Sequence, residues 1–316
     1  MKSLVGFTGF VGSNIASQTQ FDGLYNSKNI GHAFDTSPEL LVYAGVRAEK
    51  YLANKDPDGD LQNMHLAFHH IRRIKPKYVV LISTIDVFVN SDGADEDSPA
   101  VTDGLTPYGK NRFLLETMVE ASGIPHSVIR LPGLFGEGIK KNFIYDLIHI
   151  IPHTLTEQKF LELCQAGLGI AQYYENTMPG FYNCKALTET EKTALKEIFI
   201  KGGFTALHFT DSRGVFQFYN LNYIWEHIQR AVYTNLKRLH LAVEPVSISE
   251  IYKTVKNQEF YNEIAKEPPL YNFRTKHAAA FGGSHGYLFS KDKVLEDISR
   301  FICRHKLAME SRRMDV

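Results

Sequence analysis

Cysteine is scarce in this chain: Cys164, Cys184 and Cys303 stand apart from one another among 316 residues. With no paired spacing they argue against a disulfide framework and a thiolate zinc site, and for free thiols in a reducing compartment. A charge of one sign is missing too, since 35 Lys+Arg balance 35 Asp+Glu. No bulk field therefore draws the protein to nucleic acid or to a membrane surface. There is no 18-residue apolar run, and the N-terminus lacks the basic-then-apolar layout of a signal peptide. Internal repeats and low-complexity tracts are absent as well. These absences lead us to expect a cytoplasmic globular protein with neither nucleic acid nor membrane as partner. The length suits one large α/β domain with a smaller companion, enough to bury a sizeable core.

Strand and helix signals alternate through the first half, which predicts a parallel sheet covered on both faces. Apolar runs mark strands at Ser3 to Val5, Gly23 to Asn26, Leu40 to Gly45, Tyr78 to Ser83 and His126 to Leu131. Helical spacing appears from Asn63 to Ile74 and from Tyr108 to Ala121. Later signals are a strand at Val215 to Tyr219, a helix over Tyr223–Thr234, a strand at Leu239 to Ala242 and a helix near Lys293–His305. The fold class expected is α/β: a Rossmann-like, doubly wound parallel sheet with a smaller C-terminal substrate-binding lobe. Residues 1–138 would form the dinucleotide-binding domain and 206–243 would return to it. The range 139–316 would be mainly the substrate lobe.

Gly6-Phe-Thr-Gly9-Phe-Val-Gly12, directly behind the first strand, is the most informative stretch. One glycine makes a tight turn, one lets the backbone approach a pyrophosphate, and one lets helix and strand pack closely. The helix N-terminus then directs unpaired N–H groups at negative charge. A second constellation is Ser83-Thr84 at a strand's carboxyl end, where ligands bind in open α/β sheets, with Tyr108 and Arg112 four apart on one helix face. A cation there is expected to lower the Tyr108 pKa from its usual ~10 and fit it for proton exchange during hydride transfer. Asn26-Ser27-Lys28, at the end of the second strand, offers a hydroxyl and a cation where an acid would bind a ribose 2′-OH. That favours NADP over NAD. Adjacent His69 and His70 diverge on a helix and cannot share a metal. The acidic run Asp92 to Asp97 reads as a solvated loop.

These motifs make the chain resemble an extended short-chain dehydrogenase/reductase, in the NAD-dependent epimerase/dehydratase family acting on nucleotide sugars. The resemblance rests on GFTGFVG, Ala44-Gly45, ISTIDVF from Ile82, Pro107-Tyr108-Gly109, RLPGLFG from Arg130, and Arg213 ahead of FQFYNL. It implies that Thr84 orients the substrate hydroxyl, that Tyr108 is the acid/base, and that Arg112 holds the nicotinamide ribose. It further implies cofactor contacts from Phe10, Val11, Ala44 and Gly45, with Leu131, Pro132 and Gly133 bordering the nicotinamide. Asn142, Arg213 and the basic cluster at Arg274 would meet the nucleotide-sugar substrate, and a homodimer is expected. Three departures stand out. The family usually has Lys where this chain has Arg112; Ile85 replaces an acid that dehydration needs; and the stretch from Asn26 to Leu40 is short. An epimerase or keto-reductase is the expected activity. A catalytically silent, cofactor-binding sensor or scaffold is the alternative.

Overall fold

A computed structural model describes residues 1–99 and 101–314. The chain divides into two compact units. The first comprises Met1–Ile139, Val215–Val246 and Leu270–Leu295; the smaller second comprises Lys140–Gly214, Ser247–Pro269 and Glu296–Val316.

The first unit opens with β1 (Lys2–Val5), α1 (Phe10–Ala16), β2 (Gly23–Tyr25), β3 (Leu40–Tyr43) and α2 (Lys50–Lys55). It continues with α3 (Pro57–Ile74), β4 (Val79–Thr84), α4 (Pro107–Ala121) and β5 (His126–Leu131). Together with the strand Arg238–His240 these build a six-stranded parallel sheet, ordered Arg238–His240, β5, β4, β3, β1, β2. Helices cover both faces in a Rossmann-like arrangement. The strands are apolar almost throughout because both faces are buried: Leu4, Leu41, Val42, Val79, Val80, Leu81, Val128 and Ile129 are all 0% exposed. The chain leaves β1 toward β2, then crosses back to the other side of β1 for β3. Strand order therefore reverses between β1 and β3, and their carboxyl ends open a crevice there. Between β2 and β3 only a single 3₁₀ turn, Ile30–Ala33, occupies the shortened segment, so β2 is the sheet edge.

Several boundaries differ from those the sequence predicts. α3 starts at Pro57, two turns before its apolar periodicity becomes visible, because Asp56 caps it (Gly59 N–H to Oδ1, 3.0 Å) and proline suits its first turn. The Val215 to Tyr219 run is two short strands, Val215–Phe216 and Phe218–Asn220, parted at the buried Gln217. The Gln217 amide donates to Val243 O (2.6 Å) and Phe273 O (2.8 Å) and accepts from Phe273 N (2.9 Å). Those bonds fasten a second returning segment, Leu270–Leu295, to the first unit, whereas 206–214 belongs to the second. The acidic run is not uniformly solvated either. Glu96 is buried and accepts from His240 N (2.7 Å), Thr275 Oγ1 (2.6 Å) and Lys276 N (2.9 Å).

The interior beside β4 and β5 holds an ion pair. Arg130 (1% exposed) and Glu116 (0%) bond through Nε to Oε1 (3.1 Å) and Oε2 (3.2 Å) and Nη2 to Oε2 (2.6 Å). Ser83 donates its hydroxyl to Glu116 Oε1 at 2.5 Å. Arg130 Nη1 also lies 3.2 Å from His240 Nε2, and burial, helped by that guanidinium, pushes the His240 pKa down to about 3.

The second unit packs helices Phe143–His149, Glu157–Gln165 and Glu189–Lys201 with a three-stranded antiparallel sheet, Phe181–Cys184 lying between Thr154–Thr156 and Tyr174–Met178. Leu155, Phe160, Leu163, Ile170, Tyr174, Leu195 and Phe199 form its core. Burial raises the pKa of Asp146, on the first of those helices, to about 7. The folded chain therefore keeps a proton that the unfolded chain releases near pH 4. Stability should fall as pH rises from about 4 to about 7 and stay level above that. Asp146→Asn should flatten this fall and gain about 1–3 kcal/mol at pH 8, read from urea midpoints across the pH range.

Among the described residues no helix is long and apolar enough to cross a membrane, and no group of three potential ligands could hold a metal ion. The three cysteines are free.

Candidate functional site

The glycine turn sits at the crevice between β1 and β3. Gly6 has φ +92°, and a Cβ on it would lie 2.4 Å from Ala44 O and 2.7 Å from Gly45 N. The turn is thus laid flush against Ala44-Gly45, beyond the carboxyl end of β3. A Cβ on Gly12 would stand 2.1 Å from Gly6 O, so α1 can press onto the turn only without a side chain there. Gly9 N–H donates to Gly6 O (2.9 Å) and Ser13 N–H to Gly9 O (2.8 Å), which starts α1 at Phe10 and Val11. Asn14 anchors that helix through Glu137, donating to its carbonyl (2.8 Å) and accepting from its N–H (3.2 Å). The result is a tightly packed backbone turn that leads into the N-terminus of α1, an arrangement that suits a dinucleotide's pyrophosphate.

On the same sheet edge, Thr84 ends β4 and Tyr108 lies in the first turn of α4. Thr106 caps α4 and Pro107 begins it. Thr84 donates its hydroxyl to Asp86 Oδ2 at 2.9 Å, and Asp86 Oδ1 takes the Lys50 ammonium at 2.7 Å. The Tyr108 backbone N–H donates to Asn54 Oδ1 (3.1 Å), so α2 braces the head of α4. Arg112 stacks its guanidinium 4.1 Å from the Tyr108 ring centroid, confirming the shared helix face. The expected lowering of the Tyr108 pKa is overturned, however. Burial raises it above the ordinary value, against the opposing pull of Arg112. Arg112, 4% exposed, pairs with buried Asp60, donates to Arg47 O (2.5 Å) and stacks on the ring, and its lowering pull is smaller than the effect of burial.

The other sequence candidates divide by environment. Asn26 and Asn29 close a tight turn after β2 (Lys28 N–H to Asn26 Oδ1 2.9 Å, Asn26 N–H to Asn29 Oδ1 2.7 Å), leaving Ser27 and Lys28 exposed. Leu131, Pro132 and Gly133 follow the carboxyl end of β5, and Leu131 is buried. Exposed Arg274 has its guanidinium 5.6 Å from the Tyr287 ring. In the second unit Asn142 caps the Phe143–His149 helix, accepting from Ile144 N (3.0 Å) and Tyr145 N (3.2 Å). Arg213 is engaged by Asp211 (Nε 3.0 Å, Nη2 2.8 Å), Glu263 (Nη1 2.9 Å) and Ala265 O (2.6 Å). That pairing holds the Asp211 carboxyl far below the usual carboxylate range. Sequence reasoning missed Lys50, Asn54, Asp60 and Asp86 as members of the Tyr108 surroundings. The Asp-Pro start of α3 was a usable signal for Asp60; nothing local marked Lys50.

No protein-family model matches the chain, and no curated protein matches it either. Solved structures do. A dTDP-4-dehydrorhamnose reductase from Yersinia enterocolitica aligns with TM-score 0.62 at 13% identity, over 95% of this chain and 98% of that one. The dTDP-4-dehydrorhamnose reductase of Bacillus anthracis str. Ames, in complex with NADP, aligns with TM-score 0.62 at 14% identity, over 96% and 97%. A UDP-N-acetylglucosamine 4-epimerase from Methanobrevibacter ruminantium M1, in complex with UDP-N-acetylmuramic acid, aligns with TM-score 0.61 at 11% identity, over 98% of both. At these identities the likeness is one of fold, carried across nearly the whole length of both chains.

Proposed function

We propose that this chain is an NAD(P)-dependent epimerase or keto-reductase acting on a nucleotide sugar. One observation carries the reading: a glycine turn packed backbone to backbone where strand order reverses lies at the same carboxyl end of the sheet as Thr84 and Tyr108. When bound, a nicotinamide would supply the hydride acceptor and donor. Gly6, Gly9, Phe10, Val11 and Gly12 would seat its pyrophosphate, Ala44 and Gly45 would wall the crevice, and Leu131, Pro132 and Gly133 would border the ring. Tyr108 exchanges a proton with the sugar's carbinol or ketone oxygen, and Thr84 orients that oxygen. Exposed Ser27 and Lys28 suit a 2′-phosphate and favour NADP(H). Asn142, Arg213 and Arg274 are assigned to the substrate. Structures of like fold that act on dTDP- and UDP-linked sugars support the substrate class.

A second reading, a catalytically silent NAD(P)-binding sensor or scaffold, is favoured by one feature. Arg112 is locked against Asp60, and burial keeps the proton on Tyr108. One experiment separates the two. Calorimetry with NADPH and NADH should show uptake with NADPH the tighter, and incubation with a panel of nucleotide sugars should give product, with stoichiometric loss of NAD(P)H absorbance for a keto-reductase and no net change for an epimerase. The same preparation should sediment as a dimer. Uptake without any conversion selects the sensor; no uptake of either cofactor overturns both readings.

A further inference from the structure

Two cations flank Tyr108, and the structure gives them different freedom. Arg112 is immobilised, its fork shared between the Asp60 carboxylate and the Arg47 carbonyl. Lys50 is half exposed (53%), reaches Tyr108 from α2 at 5.9 Å from the ring centroid, and bonds to Asp86 at 2.7 Å. Asp86 in turn has one oxygen on Lys50 and the other on the Thr84 hydroxyl. The Thr84 proton therefore points at Asp86 Oδ2, while the Thr84 oxygen accepts from Asp86 N (3.2 Å) and keeps one further lone pair. Lys50 and Asn54 lie four apart on α2, and both address the head of α4.

We propose that Lys50 is the positioning residue of this site: its ammonium holds the Asp86 carboxylate against the Thr84 hydroxyl and supplies the adjustable positive charge beside Tyr108. This rests on the proposed acid/base role of Tyr108. The charged and titratable groups facing that phenol are Arg112 on its own helix, Asp86 after β4, and Lys50 on α2; Tyr271 faces Lys50 from the returning segment. Asp86 disfavours the phenolate and Lys50 favours it, so the pair acts on one proton from opposite sides. Arg112 contributes a constant background, because its charge partner Asp60 is buried with it.

The test reads the phenol directly, without cofactor. 3,5-Difluorotyrosine is installed at position 108 of the full chain and its ionisation is followed by fluorine NMR. Lys50→Met should raise the midpoint by about one pH unit, Asp86→Asn should lower it by a similar amount, and Lys50→Arg should restore most of the parent value. A packing role alone predicts no such opposite shifts. Midpoints unmoved in both Lys50→Met and Asp86→Asn overturn the assignment, whatever the activity. If Tyr108→Phe abolishes turnover while those midpoints stay fixed, the functional reading stands and Lys50 alone is removed. If Tyr108→Phe keeps parental turnover, the reading of Tyr108 fails, and the positioning role falls with it.

Discussion

Glu116→Leu should cost the fold about 3–5 kcal/mol, the price of leaving Arg130 charged and unpartnered in the interior. Glu116 receives three bonds from Arg130 and one from Ser83, and neither member of the pair is more than 1% exposed. Beside the guanidinium lie also the Phe88 ring and His240, which burial keeps neutral, and neither can replace a carboxylate. The double variant Glu116→Leu/Arg130→Met removes both charges at similar volume and should recover most of the loss, since buried pairs are often neutral against apolar replacements. Urea denaturation of the parent, the singles and the double closes the cycle. A single variant within 1 kcal/mol of the parent would show that the pair does not hold the interior together.

Tyr108→Phe should lower turnover by ~10²–10⁴ with cofactor uptake nearly unchanged, the loss expected when a general acid/base is removed and binding is kept. The variant deletes one oxygen from a ring whose stacking on Arg112 and backbone bond to Asn54 both survive. Because burial outweighs Arg112 in setting the phenol's proton affinity, the parent should gain rate toward alkaline pH in the direction that needs a base. The variant should lose that dependence. Parental turnover in Tyr108→Phe would take the phenol out of the chemistry.

Much of the frame was legible because it is local. The apolar runs that became β1, β3, β4 and β5 are short and bounded by turns, and the glycine turn announces itself by spacing alone. Tyr108 and Arg112 could be paired because four residues make a helical turn. What stayed hidden depends on distant partners. Arg112 is held by Asp60, 52 positions away, and the burial of Tyr108 outweighs its pull, which reverses the expected direction of the Tyr108 shift. α2 is six residues long and its cap residue Glu49 makes no side-chain cap bond, so no periodicity or start signal revealed that Lys50 reaches Asp86. Glu96 looked like one acid among several until the Thr275 and His240 segments closed over it. Gln217 broke an apparent strand because its amide serves two segments far along the chain.

Ser83 and Thr84 are consecutive on β4, yet one hydroxyl answers to Glu116 and the other to Asp86. The parity of the strand thereby decides which hydroxyl serves the interior and which serves the crevice. Deleting a single residue upstream in β4 would exchange those assignments at a stroke, and no point substitution could put both back. The letter count of β4 therefore matters as much as its spelling.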